Sequence, residues 1–221
     1  MPAEDDYTPA LGYQWLTPMY DFAIATLTRE KRWREFLLRQ IAPAAGDRIL
    51  DVGCGTGSLA LMLKDTAPGA DVLGLDPDPA VLARAKAKSE RKKLAIQWHN
   101  TFLTSEIVRK LRPVSKVVSS LVLHQTPLVQ KQEILDRAHQ VLAPGGELHI
   151  ADYGLQASKI MRCLFRLTVQ AVDGIEDTQP NADGVLTALI ENAGFTDVSV
   201  ESVVPTLTGS ISLYRATRER L

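Results

Sequence analysis

The sequence predicts an α/β fold in which a mostly parallel sheet carries helices on both faces. Short apolar segments typical of buried strands alternate with longer helical segments along the chain. A glycine-rich loop joins the first predicted strand to a helix, and polar residues follow several of the later strands. With 221 residues, 45% of them hydrophobic, the chain is long enough to bury a full-sized core.

The first 42 residues precede the first predicted strand and are rich in aromatic side chains. Residues 9–27 predict two short helical pieces, because Pro18 interrupts an apolar run. Residues 28–41 predict a third helix with one apolar face. We expect residues 1–42 to form a helical lid over the site, with Tyr20 as a contact to the bound ligand. The alternative is that the aromatic residues only pack this segment onto the body.

The stretch from Asp47 to Leu61 predicts a cofactor site formed by backbone. A buried strand leads into three alternate glycines, Gly53, Gly55 and Gly57, and a helix follows. Glycines allow a sharp turn and the close approach of a ligand, and the free N–H groups at the start of the helix favour an anion. The glycine spacing is one residue too tight for a dinucleotide site, and no lysine follows as in a P-loop. A nicotinamide dehydrogenase is therefore disfavoured.

Two carboxylates indicate what the ligand carries. Asp51 directly precedes the glycine loop, where an anion is a poor neighbour for pyrophosphate and a good one for an ammonium group. Asp76 ends the second predicted strand, residues 71–76, where a carboxylate can accept both hydroxyl hydrogens of a ribose. The pair predicts a ligand with a ribose and an amino-acid-like end.

With these residues the sequence resembles the class I S-adenosylmethionine-dependent methyltransferases. Their motif D/E-x-G-x-G-x-G is matched at every fixed position from Asp51 to Gly57. The stretches LVLHQ and VLAPGGELHIADYG resemble the ubiquinone/menaquinone-biosynthesis type. The resemblance implies a Rossmann-like, seven-stranded sheet with a terminal antiparallel strand in residues 43–221. It also implies S-adenosylmethionine as methyl donor, S-adenosylhomocysteine as product and in-line transfer to a small molecule.

The resemblance also implies roles for residues at the predicted strand ends. The three glycines would line the methionine and ribose portion, Asp51 would attract the ammonium group and Asp76 would hold the ribose. Asn100 stands where the family often has an aspartate that accepts from the adenine amino group, and its amide oxygen can accept in the same way. The further expected cofactor contacts are Pro77, Thr101, Phe102, Leu121 and Tyr20.

The remaining elements continue the alternation of strands and helices. We expect strands at residues 94–98, 116–121 and 147–151, a sharp turn at residues 143–146, and a closing antiparallel pair at residues 198–204 and 211–216. The carboxyl ends of parallel strands meet at one edge of a sheet. Five polar residues are therefore expected together at that edge: Asp51, Asp76, Asn100, His124 and Asp152.

His124, just after the fourth strand, is the candidate catalytic residue. A general base is needed only if the acceptor must lose a proton, and histidine titrates near neutral pH. The alternative is a histidine that only packs or caps the next helix.

Residues 155–182, the roof segment, predict an insertion above the substrate pocket. We expect one amphipathic helix at residues 157–172, followed by a polar loop from Asp173 to Asp183. Lys159, Arg162 and Arg166 form a basic stripe on this helix. Three interpretations stay open: a roof over the substrate, a peripheral contact with a membrane surface or partner, or simple packing.

Composition predicts a cytoplasmic protein without a metal site. The formal net charge of −1 gives no positive field to attract nucleic acid. Cys54 and Cys163 lie far apart and in no metal-ligand spacing. The acidic N-terminus does not resemble a signal peptide, and no apolar run approaches the length of a membrane span. Two functions stay open: methyl transfer to a small, partly apolar acceptor, and a regulatory or assembly module that binds an adenosyl ligand without methyl transfer.

Overall fold

A computed structural model describes residues 28–220 as a seven-stranded sheet flanked by helices. The strand order is β3-β2-β1-β4-β5-β7-β6, in which β1 to β5 are parallel and β7 is antiparallel to both of its neighbours. The predicted fold class and the closing antiparallel pair are confirmed. The strands are β1 (Arg48–Val52), β2 (Asp71–Asp76), β3 (Gln97–Asn100), β4 (Val114–Ser120), β5 (Leu142–Tyr153), β6 (Thr196–Thr206) and β7 (Gly209–Thr217).

Helices cover both faces of this sheet. Within residues 28–220 they are α1 (Glu30–Ile41), α2 (Ser58–Thr66), α3 (Pro79–Lys92), α4 (Ser105–Lys110), α5 (Leu128–Val141), α6 (Lys159–Leu167), α7 (Val169–Asp173), α8 (Ile175–Ala182) and α9 (Leu186–Asn192), and a 3-10 turn lies at Leu123–Gln125. Asp78 caps α3 as its sequence predicts, because its carboxylate accepts from the Ala80 amide at 2.7 Å. Between residues 28 and 220, no helix is long and apolar enough to cross a membrane.

Two hydrophobic layers hold the helices to the sheet. Successive side chains of a strand point to opposite faces, so neighbouring residues of β1 enter different layers. Leu50 packs in the layer under α5 and α9, and Ile49 packs in the layer under α1 and α2. Because both faces are buried, the central strands β1 and β2 are rich in apolar residues and lack a strict alternation of apolar and polar positions.

Helix α1 belongs to the core of the sheet domain. Its residues Trp33, Leu37 and Ile41 are fully buried in the layer that also holds Ile49. The packed core thus includes α1, and the division at residue 42 stays a prediction. At its start, Arg29 donates to the Pro205 carbonyl at 3.3 Å, close to the turn between β6 and β7. The rest of the lid prediction, residues 1–27 with Tyr20, lies outside the described residues.

The roof segment differs from its prediction. Instead of one helix and a polar loop, it forms three short helices, α6 to α8. Thr168 separates α6 from α7, and its hydroxyl donates to the Leu164 carbonyl at 2.7 Å. Gly174, with φ of +85°, separates α7 from α8. Two acidic residues of the predicted loop, Glu176 and Asp177, lie in the first turn of α8. There, their negative charges interact favourably with the helix dipole and stabilise the helix.

The predicted turn at residues 143–146 is instead the irregular beginning of β5. Gly145 has φ of +78° and donates its N–H to the Arg218 carbonyl at 2.8 Å. The Arg218 N–H donates in turn to the Gly146 carbonyl at 2.8 Å. These two hydrogen bonds pair the segment with the residues that follow β7. Because of this pairing, a sequence typical of a turn forms a bulged strand.

Candidate active site

The candidate site lies where the carboxyl ends of the parallel strands meet. β1 and β4 are neighbours here, and the chain leaves them toward opposite sides of the sheet. Such a topological switch point is where open α/β sheets bind ligands. The five polar residues predicted for this edge all lie along it: Asp51, Asp76, Asn100, His124 and Asp152.

The three loop glycines differ in what a side chain at each position would contact. All three have positive φ, between +52° and +76°. A Cβ at Gly53 would lie 2.3 Å from Val122, and a Cβ at Gly57 would lie 2.6 Å from the Trp98 ring. A Cβ at Gly55 would meet nothing within 4 Å. The outer glycines thus make room for protein, and the middle glycine faces open space that a ligand can enter.

Asp76 is held against the glycine loop by backbone amides. Its Oδ2 accepts from the Gly55 N–H at 2.8 Å, and its Oδ1 accepts from the Asp78 N–H at 3.0 Å. Burial raises the pKa of Asp76, and these two amides act against that shift. Each carboxylate oxygen can accept a further hydrogen bond. The arrangement presents two fixed acceptors, which suits a pair of ribose hydroxyls.

Asn100 is paired with Asp76 across β2 and β3. Its Nδ2 donates to the Asp76 carbonyl at 3.1 Å and to the Pro77 carbonyl at 2.8 Å. Two carbonyl partners require the NH₂ group on this side, so the amide orientation is fixed and Oδ1 points the other way. Thr101 donates its N–H to the Asp76 carbonyl, and Phe102 follows with an exposed ring. Oδ1 of Asn100 is thus an uncharged acceptor at the edge of the site.

Asp51 is a fully buried carboxylate whose charge is poorly compensated. Neither oxygen has a hydrogen-bond partner among residues 28–220. Burial raises the pKa of Asp51 to about 7, although the nearby Arg34 charge acts in the opposite direction. A carboxylate in this position favours the arrival of a cationic group.

Arg34 complements Asp51 and is a residue that the sequence analysis missed. Its Nε pairs with Glu30 at 2.6 Å, and its Nη1 is buried without a hydrogen-bond partner in the described part of the chain. The two unpaired carboxylate oxygens of Asp51 and the unpaired Nη1 of Arg34 fit the two ends of an amino-acid group. No local pattern marks Arg34, since only the packing of α1 brings it near Asp51.

His124 is clamped between two carboxylates on the other side of the switch point. Its Nδ1 lies 2.7 Å from Oδ1 of Asp152, and its Nε2 lies 3.5 Å from Oδ2 of Asp173. Oδ2 of Asp152 accepts from the N–H groups of Val122 and Leu123 at 3.0 and 2.7 Å. Asp152 therefore fixes both the histidine ring and the loop that carries it.

This clamp sets the charge of His124. Burial by itself lowers the pKa of the imidazole, but Asp152 and Asp173 outweigh burial and raise the pKa to about 9. The ring is therefore an imidazolium at neutral pH. An imidazolium stabilises developing negative charge, and it acts as a base only after releasing its proton. The predicted base role of His124 stays a prediction.

Lys131 fastens the same loop to the roof segment. The side chain is fully buried, and its Nζ donates to the carbonyls of Leu123, Thr126 and Asp177 at 2.5, 2.6 and 2.7 Å. Lys131 was not among the site residues predicted from the sequence. A signal was present, because Lys131 shares the buried stripe of α5 with Leu135 and Ala138 at helical spacing.

Leu121 directs the chain out of β4 with a left-handed backbone. Its φ is +58°, unusual for a leucine, and its N–H donates to the Ala151 carbonyl at 2.9 Å. Such strain is found where surrounding structure must aim a loop. Leu121 thus positions the loop of His124 beside the glycine loop.

Comparison with known proteins identifies the family. The profile of the methyltransferase domain matches residues 49–146. The demethylmenaquinone methyltransferase of Thermus thermophilus is 31% identical over 160 residues, which cover 71% of each chain. The chain belongs to the class I S-adenosylmethionine-dependent methyltransferases. The methyltransferase therefore uses S-adenosylmethionine as its cofactor.

Solved structures agree with this fold. An O-methyltransferase family protein from Burkholderia thailandensis superposes with a TM-score of 0.72 at 16% identity, over 90% of this chain and 59% of that chain. The N-methyltransferase NodS from Bradyrhizobium japonicum, in complex with S-adenosylhomocysteine, gives 0.60 at 17% identity, over 86% of this chain and 87% of that chain. At these identities the likeness concerns the fold alone.

The described residues of the methyltransferase fit the cofactor. The orphaned oxygens of Asp51 and the orphaned Nη1 of Arg34 suit its ammonium and carboxylate groups. The fixed carboxylate of Asp76 suits its ribose, and the open space at Gly55 lets it approach the loop.

Two alanine substitutions should separate the roles of the loop glycines. Gly55→Ala should cost about 1–2 kcal/mol of stability, the penalty of a left-handed alanine, yet weaken S-adenosylhomocysteine binding strongly. Gly57→Ala should destabilise the fold more, because its Cβ also meets the Trp98 ring. Urea unfolding and calorimetric titration of both variants measure this. Wild-type affinity in Gly55→Ala would show that the ligand does not approach this glycine.

Proposed function

We propose that the methyltransferase methylates a small, partly apolar acceptor with a hydroxylated aromatic ring of the quinol class. The observation that carries the proposal is the buried ring of His124, which lies between the carboxylates of Asp152 and Asp173 at the loop after β4. The demethylmenaquinone methyltransferase named above is the relative that suggests a quinol-type ring.

The part of the site that binds the methyl donor, which we call the donor half, would hold the cofactor through five residues. Asp51 would bind the ammonium group directly or through water, and Arg34 would bind the carboxylate. Asp76 would hold the ribose hydroxyls, Asn100 would accept from the adenine amino group through Oδ1, and Gly55 would allow the approach. Smaller contacts would come from Gly53, Gly57, Pro77, Thr101, Phe102 and Leu121. Tyr20, outside the described residues, keeps its predicted contact from the lid.

The acceptor half would prepare the ring hydroxyl. Its oxygen would accept a hydrogen bond from Nε2 of His124, and the imidazolium would stabilise the phenolate that forms. Asp173 is the less buried carboxylate of the clamp, with its side chain 19% exposed against 0% for Asp152. It would take the hydroxyl proton and pass it to water. The bound cofactor supplies a methyl group already activated on a sulfonium, so orientation and exclusion of water are the protein's main tasks.

The test is methyl transfer to a reduced naphthoquinol with a short side chain. Product mass and NMR position identify the methylated atom. His124→Gln should lower kcat by about a hundredfold or more, typical of a lost acid–base or charge-stabilising group, with unchanged affinity for S-adenosylhomocysteine. The matched control is His139→Gln, because His139 packs against Phe195 away from the clamp. Failure with every hydroxylated aromatic ring, together with turnover of another acceptor class, would refute the proposal.

A further inference from the structure

The roof segment presents large apolar side chains to solvent. Ile160, Leu167, Val172 and Ile175 are 69%, 70%, 55% and 55% exposed. Single exposed apolar residues are common in folded proteins, but here four lie on three consecutive short helices, from residue 160 to residue 175. We call these four residues the roof patch.

The outer side of α6 is as apolar as its inner side. Phe165 points inward, is 1% exposed and packs against the ring of Tyr153, with centroids 5.2 Å apart. At 100° per residue, Ile160, Cys163 and Leu167 share the roughly opposite side. This helix thus buries one apolar side in the protein and leaves another apolar side without protein cover among residues 28–220.

Basic residues flank this outer side. Lys159 and Arg166 are exposed and take part in no ion pair within the described chain, and Arg162 pairs with Asp183 at 2.8 Å. Within the roof segment this basic excess belongs to α6 alone, because Asp173, Glu176 and Asp177 on α7 and α8 equal the three basic residues of α6 in number. A helix with an apolar side next to a basic side suits an anionic lipid surface.

The roof patch also borders the acceptor site. Val172 directly precedes Asp173, whose carboxylate lies 3.5 Å from His124. A surface that covers the patch would therefore adjoin the place where the acceptor enters.

We propose that the roof patch docks the methyltransferase onto anionic lipid surfaces and takes its acceptor from them. The choice of a lipid rests on the proposed function, because a partly apolar quinol partitions into membranes. Apolar side chains of the patch enter the headgroup boundary, and Lys159 and Arg166 face the anionic headgroups.

The experiment is flotation of the full chain with vesicles of phosphatidylcholine and phosphatidylglycerol, compared with phosphatidylcholine alone. Ile160→Asp with Leu167→Asp should weaken binding by about tenfold or more, and so should Lys159→Ser with Arg166→Ser, because each charge near an anionic surface contributes about 1 kcal/mol. The matched controls are Val200→Asp on β6 and Arg91→Ser with Lys92→Ser at the far end of α3. They should bind like wild type.

Activity separates this inference from the proposed function. Both roof variants should methylate a water-soluble short-chain quinol at the wild-type rate and lose turnover of a long-chain quinol embedded in vesicles. Turnover of the soluble quinol without any vesicle binding would overturn the docking inference alone. Vesicle binding without turnover of any quinol would overturn the proposed function. Loss of self-association, and not of vesicle binding, in the apolar variant would assign the patch to a second copy and overturn the docking inference.

Discussion

Asp51→Asn should stabilise the ligand-free methyltransferase at neutral pH and weaken S-adenosylhomocysteine binding by about a hundredfold or more, the scale of removing one partner of a buried charge pair. The carboxylate is fully buried without a hydrogen-bond partner among residues 28–220, and burial raises its pKa to about 7. A group that ionises at lower pH in the unfolded chain than in the folded one opposes folding as pH rises. Asparagine does not ionise, so the variant avoids the cost of a buried charge. It also lacks the negative charge that would bind the ammonium group of the cofactor.

The pH dependence gives this prediction its sign. The ordinary aspartate pKa is 3.8, so the cost of Asp51 grows from about pH 4 and levels off above pH 7, where it is on the order of 4 kcal/mol. The stability advantage of Asp51→Asn in urea unfolding should follow the same course. Asp65→Asn, on the exposed side of α2, is the matched control and should show no such trend.

Proton release provides an independent measurement. At pH 6 the free site holds its proton on Asp51, and binding of an ammonium group expels it. Calorimetry in two buffers of different ionisation enthalpy should detect close to one released proton, and affinity should fall about tenfold per pH unit below 7. Asp51→Asn should show neither effect. Proton release that persists in this variant would place the titrating group elsewhere.

His124→Gln should destabilise the protein most at mildly acidic pH. The folded pKa of about 9 lies above the ordinary value of 6.5 because Asp152 and Asp173 favour the imidazolium, although burial acts against it. The stability from this charge is fully present below pH 6.5 and is lost as pH rises through 9. It is on the order of 3 kcal/mol. The difference in unfolding free energy between wild type and variant should therefore shrink between pH 6.5 and 9.

The pH profile of turnover decides how His124 acts. If the imidazolium stabilises a phenolate, kcat should fall as pH passes about 9. If the neutral ring acts as a base, kcat should instead rise through that range. Asp173→Asn removes one of the two carboxylates that raise the pKa, so either limb should move to lower pH. If Asp173→Asn leaves the pH profile of kcat unchanged, the group whose ionisation shapes that profile is not His124.

The sequence alone predicts most of the cofactor site but does not predict Arg34. The glycine loop, Asp51 and Asp76 depend on turn chemistry and on strand patterns that span a few residues, and such local signals remain readable without coordinates. The resemblance to the methyltransferases supplied the number of strands, which local patterns do not contain, whereas strand and turn patterns located the closing pair. The wrong predictions lie in the roof segment, where polar residues from Asp173 to Asp183 suggested a loop and the folded chain forms α8.

Tertiary structure alone decided how charges are paired. Arg34 lies 17 residues before Asp51 along the chain, and His124 meets carboxylates from the end of β5 and from the roof. The carbonyls around Lys131 likewise come from its own loop and from α8. Sequence specifies which groups can ionise. Their charge state depends on burial and on neighbours within a few ångströms, and only the folded chain brings those neighbours together.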